Sequence, residues 1–325
     1  CKINLQKESD HLSTNIISEL SIHLDSRIFS EIFRHASDEL KQMSDSDNGF
    51  IDTSKISKGM LVRYRDSAYK KKITLIIDAI KMIGQSEMDS EKLKRKLSER
   101  IAKYFDQRFT IEDFILSRVA IITDIDVGGR DVVTSYIGVL KRIRQVKGYS
   151  PTYYNMIPDS IGLCLKGNSN GVEFMIYDLE RCLSEISANS VEYRGTLRAE
   201  VHITKQKAIA HLTGSSNTAL QLSRMVENAS GVFLKVFSRI VPCGDYYKKN
   251  QACELVRQKV KDKRLSRLML KLIDLIPEKK SLLLAQKALN SRKVYDVMEG
   301  FAKIGVSPVT ISKRCSTINL PNYTI

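Results

Sequence analysis

The chain has 325 residues, 42% of them hydrophobic and 27% charged, which is enough for a large core and excludes a disordered polymer. No stretch approaches 18 uninterrupted apolar residues, so a membrane-spanning helix is excluded as well. Six scattered cysteines form no C-x-x-C pair and five histidines form no H-x-H or H-E-x-x-H, so zinc-site motifs find no support and reduced thiols are expected.

The net charge of +15 is unevenly placed. Residues 201–325 carry 22 Lys and Arg against 8 Asp and Glu, whereas residues 1–200 carry 30 against 29. A surplus concentrated in this way points to a polyanion, with nucleic acid ahead of a membrane surface because no basic stretch has a continuous apolar face. Solvated basic helix faces are the ordinary alternative. CKINLQKESD lacks the apolar core of a signal peptide, so a cytoplasmic location and no membrane partner are expected.

In chain order, LSIHLDSRIF predicts a strand running into the helix SEIFRHASDELKQM, and SDSDNG a loop. LVRYRDSAYKKKITLIIDAIKMIG predicts a short strand followed by an amphipathic helix ending at Gly84. EMDSEKLKRKLSERIAKYF predicts a helix capped by Asp89. FILSRVAIITDIDVGG is an apolar, β-branched strand broken by Asp124 and Asp126, and residues 131–147 predict a helix. The segments 161–166 and 172–177 flank KGNSNG, whose Asn and Gly supply turn chemistry, and so predict a hairpin. A strand over about 195–204 follows, and from 205 onward the pattern is helical. The fold class expected is α+β: an antiparallel-sheet, nuclease-like domain followed by a basic α-helical domain of helix-turn-helix type. Its portions are residues 1–106 (the N-terminal α/β part of the catalytic region), 107–204 (the sheet carrying the site) and 205–325 (basic helices that bind DNA).

Strand alternation places Asp124 and Asp126 on one face, and Arg198, Glu200 and His202 on one face of a later strand. Carboxylates between apolar neighbours are expensive to bury without a partner, and a divalent cation is one such partner. Oxygen donors favour Mg²⁺ or Mn²⁺, and an added imidazole leans toward Mn²⁺. Tyr177 ends the strand VEFMIY; beside a cation holding a phosphodiester, a tyrosine can attack phosphorus. Each residue alone also fits an ordinary structure: a half-buried core tyrosine, strand acids on arginine, a satisfied histidine.

The order of the pieces, DIDV at 124–127, FMIYDLE at 174–180 and LRAEV at 197–201, resembles rolling-circle replication initiators. The nearest kinds are the trans-acting initiators and relaxases of Gram-positive plasmids and integrative elements and the replication proteins of Firmicutes phages. The ending GVSPVTISKRCSTINLPN is similar to the terminus of phage and plasmid relatives, and the resemblance covers roughly residues 110–322. It implies a nicking enzyme in which Tyr177 is the nucleophile, Asp126 and Glu200 are metal ligands with Arg198 beside them, and His202, where relatives carry a second acid, is a further ligand; Asp124 joins the expected ligand set from the strand pattern alone. The product would be a 5′-phosphotyrosine link and a free 3′-OH primer at an origin or transfer origin. Two positions depart from the family pattern: Asp124 stands where the family has arginine, and Leu179 where it has lysine.

Asp178 is expected to cap the helix that follows it. RKVYDVMEGFAKI, Gly305 and SPVTISKRC read as helix, turn, helix, with Thr310, Ser312, Lys313 and Arg314 facing DNA, a plain helical hairpin being the alternative. Lys259, Lys261, Lys263, Arg264 and Arg267 read as sequence-independent phosphate contacts. DNA is the partner expected, with a homodimer and a host helicase as further partners that no residue specifies. Two other functions stay open: a DNA-binding regulator of a plasmid or phage without nicking activity, and a nucleoprotein that coats nucleic acid.

Overall fold

The computed structural model describes residues 17–37, 50–51, 58–67, 70–84, 89–184, 190–290 and 292–322; the expected SDSDNG loop lies outside them. Strands run over Glu19–Ser26 (β1), Phe50–Ile51 (β2), Met60–Ser67 (β3), Lys70–Asp78 (β4), Phe114–Asp126 (β5), Tyr149–Pro151 (β6), Gly162–Gly167 (β7), Val172–Asp178 (β8) and Thr196–Ile203 (β9). They make one nine-stranded sheet in the order β2-β3-β4-β1-β5-β9-β8-β7-β6, antiparallel at every junction. The protein is therefore α+β.

Alternation in these strands sorts residues by chemistry. In β9, Leu197, Ala199, Val201 and Ile203 are buried on one face, and Arg198, Glu200 and His202 take the other. On the apolar face β9 meets Phe174 and Ile176 of β8 and Val119 and Ile121 of β5. Helices cover that face: Phe29–Arg34 (α1), Ala79–Ile83 (α2), Ser90–Phe105 (α3), Arg130–Leu140 (α4), Gln206–Thr213 (α6), Thr218–Glu227 (α7) and Ala229–Ile240 (α8). Between α4 and α6 lies a short helix, Leu179–Ser184 (α5). Phe174 meets Phe237 of α8 edge-on, with centroids 5.8 Å apart; burying a side chain of this size contributes about 1.5–3 kcal/mol. Asp89 caps α3 by accepting from the Glu91 N–H, as its sequence predicts, and Leu93, Leu97 and Ile101 form the buried stripe.

Beyond α8 lie Lys249–Lys259 (α9), Lys263–Lys279 (α10), Leu282–Ala288 (α11) and Val294–Ile304 (α12). One apolar cluster runs from Leu20 of β1 through α10 and α12 to Leu320. The expected division at 204/205 therefore marks a change of secondary structure and not a break in the core.

Three expectations are corrected. KKKITLIID is a full strand, β4, hairpinned to β3, and only Ala79–Ile83 is helical before Gly84; the β-branched run alternates Ile73, Leu75 and Ile77 into the core. The helix expected over 131–147 stops at Leu140. The second helix of the expected helix-turn-helix does not form. After the left-handed Gly305, residues 306–320 run as an irregular, non-helical segment with a turn at 313–314, with bridges Asp245↔Val306 and Lys248↔Ile311, and Asn319–Leu320 pairs with Tyr246–Tyr247. Val306, Val309, Thr310 and Ile311 are buried there, and β-branched side chains flanking a proline favour the extended chain.

Candidate active site

The polar face of the sheet gathers the residues of interest on strands β5, β9 and β8. Register sets Asp124 opposite Arg198, and Arg198 opposite Tyr177. Gly162 of β7 is the partner of Tyr177 on its other side, and a methyl group there would lie 2.6 Å from the Tyr177 Cβ. The missing side chain is thus what seats the tyrosine. Where the β5–β9 ladder ends, the Val127 N–H donates to the carbonyl of Gly195, where φ is +85° and an added Cβ would strike the Gly129 nitrogen at 2.8 Å.

Tyr177 Oη donates to Glu200 Oε1 at 2.5 Å, and Glu200 Oε2 lies 2.6 Å from His202 Nε2. His202 Nδ1 lies 2.7 Å from an Arg118 Nη2 that can only donate. The proton of the imidazole therefore sits on Nε2 and points to Glu200. The result is a chain of directed bonds, Arg118 to His202 to Glu200, with Tyr177 donating into the same carboxylate. Tyr177 is 5% exposed and Glu200 8%.

Burial pushes the Tyr177 phenol well up from its ordinary value, and the Glu200 carboxylate beside it pushes the same way. Burial also pushes Glu200 up, but the hydrogen bonds of His202 and Tyr177 and the charge of Arg198 outweigh it and hold the carboxyl below the usual range. Glu200 is thus an ionised acceptor in contact with a phenol that does not ionise unaided. Arg198 grips Asp124 through Nε at 2.7 Å and Nη2 at 2.8 Å, and reaches Glu19 at 3.5 Å.

The four expected metal ligands do not converge. Asp126, at the exposed end of β5, accepts from the Gly128 N–H and stands four residues from the rung of Glu200, roughly 13 Å along the strand. Asp124 uses both oxygens on Arg198, Glu200 uses both on Tyr177 and His202, and His202 turns a protonated nitrogen to the site. Among the described residues no group of three or more His, Cys, Asp or Glu could hold a metal ion. As arranged, this donor set does not fit Mg²⁺ or Mn²⁺.

A segment over 154–161 and α5 lie over Tyr177, where Ile161, Cys164, Met175, Leu179 and Cys182 make a small second apolar cluster. Asp178 caps α5 by accepting from the Arg181 N–H, as expected. Tyr154 of the covering segment donates to Glu173 at 2.6 Å, a second tyrosine–glutamate pair, on the rung of His202. Arg118, His23, Tyr154 and Glu173 were not singled out from sequence. The signal available was a lone arginine inside the apolar FILSRVAII, and a histidine inside LSIHL.

Of the expected DNA contacts, Lys259, Lys261, Lys263, Arg264 and Arg267 are all exposed around the α9–α10 turn. Lys313 and Arg314 are exposed and Ser312 half-buried, but Thr310 is buried and its carbonyl accepts from Arg142. The five described cysteines are free thiols. No helix among the described residues is long and apolar enough to cross a membrane. No family model matches the chain, and no curated protein matches it.

Proposed function

We propose that the chain is a DNA strand transferase of the rolling-circle initiator kind, with Tyr177 as the nucleophile. The observation that carries this reading is the 2.5 Å hydrogen bond that Tyr177 Oη donates to an ionised Glu200. In the reaction, Tyr177 Oη forms a bond to phosphorus and the bond from phosphorus to the 3′ oxygen breaks. Glu200 takes the phenol proton, and the leaving 3′ oxygen keeps the bond pair and is protonated by water. His202, fixed by Arg118, orients the carboxylate. Arg198 lies on the rung of Tyr177 and, beyond its pair with Asp124, has Nη1 for a phosphate oxygen. No step is routed through a cation.

A second reading, the non-catalytic DNA-binding regulator, is favoured by one observation: the Tyr177 hydroxyl lies under the 154–161 segment and α5. Supercoiled and single-stranded DNA carrying the origin, incubated with wild type and with Tyr177→Phe in Mg²⁺, Mn²⁺ or chelator, separates the two. A denaturation-resistant protein–DNA adduct that disappears in Tyr177→Phe is expected. Specific binding without an adduct in any arm returns Tyr177 to the core and leaves the regulator.

A further inference from the structure

At the opposite end of β8 from Tyr177, and on the helix-covered face, three cavities lie next to one another. The first, about 770 Å³, lies between residues 145–148 and α11 with the segment after it. The second, about 510 Å³, lies over Val172 and Ile203, where β8 and β9 meet α6 and α8. A third of about 250 Å³ adjoins both, sharing Val146, Lys147 and Gln286 with the first and Arg239 with the second.

The chemistry of this trough is one-sided. Lys147, Lys205, Lys207, Lys235, Arg239 and Lys287 line it, with Arg292 at its far end, and none of the described lining residues is Asp or Glu. All seven cations are exposed, and none forms an ion pair among the described residues. Elsewhere in the C-terminal helices, Lys249 and Lys303 have acidic partners. Unneutralised charges crowded in a concave groove repel one another, and a polyanion is the ligand class that relieves them.

The floor says which polyanion. Val172, Ile203, Leu212, Val232 and Val236 give the second cavity apolar walls, and its size is that of a pocket for a small organic group. A duplex keeps its base faces stacked inside and shows only base edges in its grooves, whereas a single strand can place an unpaired base in the pocket and keep its phosphates on the rim. We infer that this trough holds a single-stranded segment of DNA, gripped by Lys147, Lys205, Lys207, Lys235, Arg239 and Lys287 with a base seated over Val172 and Ile203. The inference rests on the nucleic-acid reading of the chain and is independent of the chemistry at Tyr177. Along β8 the pocket stands roughly 17 Å from that tyrosine, so the strand would be held well away from the bond to be cut.

The test is fluorescence anisotropy with a labelled oligothymidylate of about 20 nucleotides and a duplex of equal length, from about 50 to 200 mM salt. Wild type is compared with the triple variant Lys207→Gln, Lys235→Gln, Lys287→Gln, and with Lys58→Gln, Arg95→Gln, Lys103→Gln, exposed residues outside the trough and the expected DNA contacts, as a basic control of equal charge. The trough variant is expected to lose about tenfold or more in single-strand affinity, and its salt slope should shrink by about 2, at about 0.7 per lost contact. The control should keep its slope on the single strand. A trough variant that binds within about twofold of wild type with an unchanged slope overturns the inference, as does a duplex that binds as tightly and loses as much. If the trough variant loses single-strand binding while wild type forms no adduct, the trough stands and the transferase reading falls. An adduct formed equally well by wild type and the trough variant at limiting DNA does the reverse.

Discussion

Exchanging Glu200 for Gln changes one heavy atom and reverses a hydrogen-bond direction at the centre of the site. The carboxylate accepts twice, from Tyr177 at 2.5 Å and from His202 at 2.6 Å, and the donor at His202 is fixed by Arg118 behind it. A glutamine can accept through its oxygen from only one of them and must turn its NH₂ to the other. The oxygen will go to His202, which cannot invert, and the NH₂ to Tyr177, whose hydroxyl must then accept. Bonds to a charged acceptor contribute about 1.5–3 kcal/mol and neutral ones about 0.5–1.5, so one weakened and one inverted bond lose about 2–3 kcal/mol. Relief from burying a charge offsets part of this, leaving a net loss of about 2 kcal/mol. Urea unfolding at neutral pH reads that loss directly. The rate of adduct formation should fall by about 10²–10⁴, the usual contribution of a positioned base. A Glu200→Gln protein at least as stable as wild type would show that the bond directions are misassigned, and an adduct rate within about tenfold would remove Glu200 from the base role.

His23, on β1 opposite Arg118, gives a pH dependence. Burial, and after it the Arg118 guanidinium, lowers its imidazole from 6.5 to about 4. Between those values the unfolded chain binds the proton and the folded one does not, so this stabilisation is complete above pH 6.5 and is lost as pH falls toward 4, about 3 kcal/mol in all. Urea midpoints of wild type should drop more than those of His23→Gln between pH 7.5 and 4.5, and parallel curves would refute the assignment. Gly162→Ala places a methyl 2.6 Å from the Tyr177 Cβ and 2.8 Å from the Ile176 oxygen, so it should cost about 1–3 kcal/mol and displace the tyrosine. An unchanged melting temperature would mean that β7 has room to shift.

Much of the site was legible because strands encode faces at a fixed period of two. Arg198, Glu200 and His202 do share a face, Asp124 does meet that face, and the KGNSNG turn does join the hairpin that carries Tyr177. What alternation could not supply was who neutralises whom. Asp124 and Arg198 stand 74 residues apart, and their bidentate pair gives Asp124 a partner that the acids alone did not suggest. Arg118 was equally out of reach, because its partners His23 and His202 depend on the order β1-β5-β9 and no local pattern states that order. KKKITLIID was misread because a short apolar run next to charged residues satisfies both periods. The terminal segment was misread because Ser307 and Pro308 imitate the start of a helix, while the residues after them are held by bridges to 245–248.

Strand β1 lies between β4 and β5, two partners that the ribosome makes after it, and its last rung on β5 joins Glu19 to Ile122. Until β5 has left the exit tunnel, the strand that will stand mid-sheet is an edge, with a row of open amides and carbonyls able to recruit a neighbouring nascent chain. Loop closure over that separation also makes the pairing slow. Translation that pauses before residue 126 therefore holds the protein in its most adhesive state, with the bed of Tyr177 still unbuilt.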